Sequence, residues 1–467
     1  SPAVHASAPQ SQPTSAATSS SAGTHITASP TSTPGQGRRG EERESKKSKA
    51  ADGVVNMLAK GKMLAGGLKE KVMGGSKKDR MIDPALELTP EDVAAAKVLD
   101  VEGVMAAMEV LVSDFPCIKV RPLTGQNVVA SLKGPTEFHD GSSCEFGNVA
   151  YGRSVSGYPH IPINPTRDGY PICDCFSLHL YRNRVIATIT DGCNWGEKPR
   201  NAAWLVNSRF SSMLMENQDL LPNTQAIARL MLKAVFVCQA AILENANDIW
   251  EAGCTTLLGG IVVETTPEDA EPSGPRRFAF VAVGIGDCKA YIFKSAYGNV
   301  TDITLGNRTD HLDPCDPGGR LGPYTEEGAP DLRNLQLYFE DNLAPGDFIF
   351  IVSDGVHDNL DPQTLGVPPS ECGISTGFST WEDVPPTNCA CGKAKYSSTL
   401  LLKLIKEQPA LTPQNITNAL VDHALAVTQS SRDWMMENHK ARKPKGLPGK
   451  MDHTTCACFV VPGDGGV

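Results

Sequence analysis

The sequence predicts a layered mixed α+β sandwich, and three observations carry that expectation. Apolar runs rich in β-branched and aromatic residues recur as strands, most clearly Val185–Thr190 and Phe348–Val352. The strands come in groups separated by long helical stretches, which is the order of a layered sandwich and not of repeated βαβ units. Two of the buried runs end abruptly in Asp-Gly, at Asp191-Gly192 and Asp354-Gly355, and Asp452 opens the last strand. A carboxylate at a strand end is held by the sheet while facing the cleft beyond it, and the glycine allows a sharp turn and a close approach. Carboxylates so placed can share a hard cation that prefers oxygen ligands. A lone Asp-Gly is an ordinary turn, so the weight rests on the order of the whole chain.

Composition narrows the field. The 467 residues suffice for one large domain or two medium ones. A net charge of −10 argues against general nucleic-acid binding, which needs a basic footprint. No apolar run reaches the roughly 20 residues that cross a bilayer, so no transmembrane segment is expected. The chain opens Ser-Pro-Ala-Val-His without an initiator Met or a charged-then-apolar leader. A fragment or processed form, in an intracellular setting (cytoplasmic or nuclear), is the expectation. Fourteen cysteines include the pairs Cys173/Cys175, Cys389/Cys391 and Cys456/Cys458. Residues i and i+2 of a strand share a face, so reduced thiols packed in a core are expected for the first and last pairs. Cys372, Cys389 and Cys391 fall in a loop-like segment whose spacing is not that of a zinc finger.

Taken in order, residues 1 to about 50 are Ser, Thr, Pro, Ala and Gly, ending in the mixed-charge run Arg38–Lys49. Such a tail buries too little apolar surface to offset chain entropy and is expected to be disordered. Residues 54–78 are basic and interrupted by glycines, a linker with a weak capacity to touch acidic lipid or a partner's groove. Tail and linker together make up 1–80, and a helical and strand extension is expected over 81–145. Thr89-Pro90-Glu91-Asp92 starts a helix there that reaches Leu99 and extends to Val112. Short strands follow at Cys117–Val120 and Val128–Leu132. The main domain is expected over 146–463. Phe176–Leu180 and Val185–Thr190 form a hairpin. Helices run over Asn201–Met215 and from Asn223, where Ile227, Leu230, Met231, Ala234, Val235 and Cys238 repeat at helical spacing. Strands resume at Thr255–Glu264, Phe278–Gly284, Ala290–Phe293, Leu335–Phe339 and Phe348–Val352. A polar insertion covers about 361–395. Helices at Ser397–Ile405 and from Thr412 to about Asn438 precede the closing strand Cys456–Val461.

Several motifs stand in a telling order. They are Tyr151-Gly-Arg-Ser-Val-Ser-Gly157, Ile186–Gly192, Gly253-Cys-Thr-Thr256 and Gly284-Ile-Gly-Asp287-Cys-Lys-Ala-Tyr291. After them come Thr309-Asp310-His311 with Gly319-Arg320-Leu321, then Ser353-Asp354-Gly355-Val-His-Asp358, and last Asp452-His453-Thr454-Thr455. Each is weak alone. Together, over Asn148–Pro462, they resemble the metal-dependent type-2C (PPM) family of Ser/Thr protein phosphatases, as a divergent member. The resemblance implies a four-layer α-β-β-α sandwich and two divalent ions, Mg²⁺ or Mn²⁺, bridging the water that attacks phosphorus. It implies that Asp191, with the Gly192 carbonyl, bridges the ions, that Asp354 and Asp452 complete one ion's shell, and that Asp287 and Asp358 lie near the metals. Two ions about 3.5–4 Å apart can activate the nucleophile and stabilise both apical oxygens.

The departures from the family pattern are specific. Cys173-Asp174 stands where the family has Glu-Asp, so the glutamate is missing while Asp174 remains as a metal candidate. Gly169 stands at the position of the phosphate-gripping arginine, with Arg167 near but out of register. Cys193 replaces a histidine and His453 an asparagine. Loss of one carboxylate weakens the second ion first, and loss of the arginine forfeits a bidentate phosphate clamp. The functional expectation is an enzyme, metal-dependent hydrolysis of phosphoserine and phosphothreonine in proteins, with a catalytically weak or dead pseudophosphatase acting as scaffold or regulator as the alternative. The expected partner is a phosphoprotein substrate or a signalling protein. A nucleotide-binding reading lacks the G-x-G-x-x-G spacing and the following helix.

Overall fold

The computed structural model describes residues 83–463 except 126, 161–165, 245, 247, 267–273, 309, 311, 376 and 439–445. The expected disordered tail, the basic linker, and the motif residues Thr309 and His311 lie outside the described residues. The chain runs α1 (Pro90–Ala95), α2 (Val101–Ser113), β1 (Ala130–Gly134), β2 (Gly141–Phe146), β3 (Ala150–Ser156), β4 (Cys175–Tyr181) and β5 (Arg184–Thr190). Then come α3 (Glu197–Glu216), α4 (Thr224–Glu244), β6 (Leu257–Thr265), β7 (Arg277–Ile285), β8 (Lys289–Lys294), β9 (Asn299–Asp302), β10 (Gln336–Leu343) and β11 (Phe348–Val352). It closes with α5 (Asp354–His357), α6 (Pro386–Lys406), α7 (Pro413–Val427), α8 (Gln429–Glu437) and β12 (His453–Val460).

The strands form two six-stranded sheets, ordered β1-β4-β5-β6-β7-β10 and β2-β3-β12-β11-β8-β9, antiparallel throughout. Alternation along each strand decides what each face meets. Val185, Ala187 and Ile189 of β5 point between the sheets toward Ile349 and Ile351 of β11 and Phe459 of β12. Ile186 points the other way, into a layer with Phe210 of α3 and Met231 and Val235 of α4. Phe350 and Cys458 face Leu401, Ile405, Leu420 and Val421 of α6 and α7. Both faces of both sheets are therefore buried, which is why the central strands read as unbroken apolar runs. The architecture is α+β, a four-layer α-β-β-α sandwich. A one-residue slip of β5 or β11 would exchange the two faces of the strand, so register is tightly specified.

α4 is long and apolar enough to cross a membrane by length and composition alone, contrary to the sequence-based expectation that no such run exists. Its surroundings explain its composition. α3 and the first sheet cover one side, and Leu86, Val93, Val104, Met108 and Val112 from the preceding segment and α1–α2 cover another. A helix buried on several sides is apolar all round.

Other boundaries differ for local reasons. The helix expected from Thr89 to Val112 breaks, with Lys97 at φ 60° and Asp100 capping α2 through the Gly103 N–H at 2.9 Å. α3 starts at Glu197 because Pro199 is tolerated in a first turn. α6 starts at Pro386 and not at Ser397, absorbing the end of the polar insertion. Cys389 and Cys391 thus lie on a helix, with Cys389 packed by Cys372 and Trp381. The last long helix splits at Thr428, whose hydroxyl donates back to the Ala424 carbonyl at 2.7 Å, a bond that bends helices. The polar edge strands β2 and β9 carry too little apolar alternation to have been foreseen. All fourteen cysteines are free, and Cys173, Cys175, Cys456 and Cys458 are buried.

Candidate functional site

The same end of both sheets brings the strand-terminal carboxylates together. Asp191 follows β5. Its backbone is locked by Thr256, which donates its N–H to the Asp191 carbonyl at 2.8 Å and accepts the Asp191 N–H on its hydroxyl at 3.1 Å. Gly192 must be glycine, because a Cβ there would lie 2.6 Å from the Pro199 carbonyl oxygen. Asp174 directly precedes β4, and the pairing of Cys175 with Thr190 sets it opposite Asp191. Its Oδ2 accepts from Ser353 Oγ at 2.7 Å, so the second sheet reaches across to hold it. Asp354 opens α5 just beyond β11, and Asp452 precedes β12, the neighbour of β11. Gly355 permits their approach: a Cβ would sit 2.0 Å from the His453 carbonyl oxygen. Asp287 lies in the β7–β8 turn and Asp358 just past α5, and both are almost wholly buried.

Two basic side chains that the sequence reading did not single out sit among these acids. Lys450 Nζ donates to Asp354 Oδ2 and to Asp358 Oδ2 at 3.1 Å, and forms an ion pair with Asp452 Oδ2 at 3.0 Å. Arg308 donates through Nη1 to Asp358 Oδ1 at 2.7 Å and through Nη2 to Asp287 Oδ2. Asp452 is engaged on its other oxygen too, by the Tyr158 hydroxyl at 3.0 Å and the His453 N–H at 2.9 Å. A sequence signal existed for each base. Lys450 is two residues before Asp452, and Arg308 adjoins the Thr309-Asp310-His311 motif.

Arg167 does not join the group. It binds the Asp140 carboxylate through Nε and donates from Nη1 to the Tyr158 carbonyl at 2.9 Å, so it is committed away from the carboxylates. Cys193 lies half-buried beyond Gly192, and Cys173 donates its backbone N–H to His453 Nδ1 at 3.2 Å.

The electrostatics divide the cluster. Burial and then the neighbouring Asp174 and Asp354 charges push the Asp191 carboxyl well above its ordinary range. Asp174 is pushed up by burial, against the Ser353 hydrogen bond that favours its charged form. Asp358 also suffers burial, but the Arg308 guanidinium and Lys450 ammonium hold it well below the usual carboxylate range. Burial opposes the charge on Lys450, and Asp354, Asp358 and Asp452 more than restore it. Asp354 is itself pushed up, by burial and by Asp452. The two shifts are compatible, because an ammonium shared by three carboxylates stays charged even when one of them is neutral.

These residues do not fit two divalent ions. Asp354, Asp358 and Asp452 already surround a cation that belongs to the chain, and Asp287 with Asp358 surrounds a second. Among the described residues, no group of three or more His, Cys, Asp and Glu side chains is arranged to hold a metal ion. Mg²⁺ requires near-octahedral oxygens at about 2.0–2.1 Å, whereas the carboxylates here are spaced around ammonium and guanidinium donors. Buried oxygens remain without a partner on Asp174, Asp287 and Asp354, each an Oδ1, so acceptor capacity is left over beside the fixed cations.

No family model matches the chain. It is similar to a PP2C-like domain-containing protein of Drosophila melanogaster, CG9801, at 27% identity over 282 residues. That match covers 59% of this chain and 38% of the relative, so the chain spans well under half the relative's length. The resemblance is to the type-2C phosphatases, as a divergent relative. Among solved structures, the chain is similar to the serine-threonine phosphatase 2C of Toxoplasma gondii, at 12% identity over 71% of this chain and 99% of that one, with a TM-score of 0.38. It is likewise similar to the serine/threonine phosphatase Stp1 of Staphylococcus aureus, at 14% identity over 71% and 99%, with a TM-score of 0.37.

Proposed function

We propose that this chain carries a type-2C-like domain that does not turn over phosphoester by the two-ion route and acts by binding, as a scaffold or regulator of phosphoprotein signalling. Kinship with a PP2C-like protein supports a phosphatase-type domain in general. The finer choice rests on one observation: Lys450 and Arg308 are bonded to the carboxylates that two divalent ions would need. The missing glutamate and the committed Arg167 point the same way. With Arg167 bound to Asp140, the arginine nearest the family's clamp position does not offer a bound phosphoester the bidentate grip that orients it for in-line attack. Fourteen free cysteines support a reducing, intracellular setting for the same reading.

The test is hydrolysis of a phosphothreonine peptide by the full chain with Mn²⁺, with Mg²⁺ and with chelator, beside Asp191→Asn. The expected outcome is no turnover above the chelator control. Metal-dependent turnover that Asp191→Asn abolishes would overturn the proposal in favour of a phosphatase working with a reduced site.

A further inference from the structure

Lys450 is held in place more firmly than an incidental surface lysine would be. Its backbone is gripped from both sides by Asn359, whose Oδ1 accepts the Lys450 N–H and whose Nδ2 donates to the Lys450 carbonyl, each at 2.9 Å. The same Nδ2 donates to the Gly355 carbonyl at 2.8 Å, so the turn that presents Asp354 also fixes the lysine. Gly449, at φ 81°, donates its N–H to the Thr364 carbonyl at 2.9 Å, and a Cβ there would press on Val427 and Thr428. The segment therefore enters in a left-handed turn that glycine adopts without strain. The ammonium that results is seated between the two strand ends that carry Asp354 and Asp452.

What surrounds the ammonium is rich in oxygen. Asp354 Oδ2, Asp358 Oδ2 and Asp452 Oδ2 touch it. Asp354 Oδ1 is buried without a partner, and so is Oδ1 of the buried Asp174 across the cluster. Arg308 separately engages the far side of Asp358 together with Asp287. Four carboxylates thus share two fixed positive charges, and three of the four lie around Lys450.

We propose that Lys450 is a tethered cation closing a latent site for a single divalent ion, lined by Asp354, Asp358 and Asp452. The side chain supplies one positive charge without exchange, so the folded chain needs no ion there and excludes one. Removing the ammonium leaves Asp358 with Arg308 alone and the partly buried Asp354 and Asp452 without a fixed counter-charge, a deficit that protons or an external cation can meet. A hard dication with oxygen ligands, Mg²⁺ or Mn²⁺, is the chemistry that fits them. This inference rests on the non-catalytic reading above, but the two fail separately.

The experiment compares the full chain with its Lys450→Met variant, by calorimetric titration with Mn²⁺ and with Mg²⁺ and by thermal unfolding with and without each ion. Expected are a saturable isotherm of one ion per chain and an ion-dependent rise in Tm in the variant, both absent from the wild type, since a ligand that binds only the folded state raises its stability. Adding Asp354→Asn to Lys450→Met should remove the gained binding. A variant that binds no more ion than the wild type, or a wild type that binds as much as the variant, overturns the inference. Should Lys450→Met not fold, the wild type still decides. Mapping with an amine-acylating reagent should leave Lys450 unmodified while exposed lysines react, and equal reactivity would overturn the seated ammonium. A silent wild type with no gained ion sinks this inference alone. Turnover by the wild type sinks the non-catalytic reading, whatever the variant binds.

Discussion

On one side of the cluster, Asp287, Asp354, Asp358 and Asp452 share Arg308 and Lys450. On the other, Asp174 and Asp191 have no basic partner among the described residues, and Asp174 is held by a hydroxyl. Each half combines buried carboxylates (Asp287 and Asp358 in the first, Asp174 in the second) with partly buried ones, yet burial is met in different ways. In the first half the chain brings its own cations and Asp358 stays charged. In the second, burial pushes the carboxyls upward toward their neutral forms. The difference teaches that one half is an internal ion-pair network, while the other holds strand-end carboxylates without a fixed counter-charge among the described residues.

The largest expected effect tests the paired half. Arg308→Ala leaves Asp287 and Asp358, each almost fully buried, without the guanidinium between them. Breaking a buried pair by removing one partner costs about 3–5 kcal/mol, so the urea midpoint should fall steeply. A loss below about 1 kcal/mol would mean that the pairing does not neutralise this half.

A smaller effect, from outside both halves, must be separated before acid titration can compare them. His179 on β4 is buried, its Nδ1 bonded to Ser131 Oγ at 2.9 Å, and burial pushes it down to about 4 from an ordinary value of 6.5. Below 6.5 the unfolded chain takes up a proton that the folded chain refuses. Stability from this residue is therefore intact above 6.5 and is lost as pH falls toward 4, by roughly 3 kcal/mol at most. In His179→Asn, denaturant melts across that window should show a shallower decline. An unchanged slope would show that the acid sensitivity arises elsewhere.

The smallest effect concerns the unpaired half. Asp191→Asn removes a carboxylate that burial and its neighbours disfavour, and should change stability by less than about 1 kcal/mol or raise it. A large loss in a urea melt would reveal a cationic partner and erase the contrast between the halves.

Much of this was legible in the chain. β5 and β11 were legible as strands because both faces are buried and the apolar run is continuous. Their terminal Asp-Gly steps marked the site, because a turn that must let Gly192 pass Pro199, or Gly355 pass His453, tolerates no side chain. The start of α6 and the break at Thr428 were not legible, since they depend on where Trp381 and the preceding turns pack and on one hydroxyl bonding backward.

The sequence by itself determined the layered α+β architecture and the three strand-end aspartates Asp191, Asp354 and Asp452, because periodicity and turn chemistry are local properties, whereas Asp174 was reached only through the family resemblance. Only the tertiary structure decided what those aspartates meet. Lys450 is 96 residues from Asp354 and Arg308 is 50 from Asp358. Whether a cation fills a carboxylate cluster depends on long-range distances of a few ångströms, which local pattern does not encode.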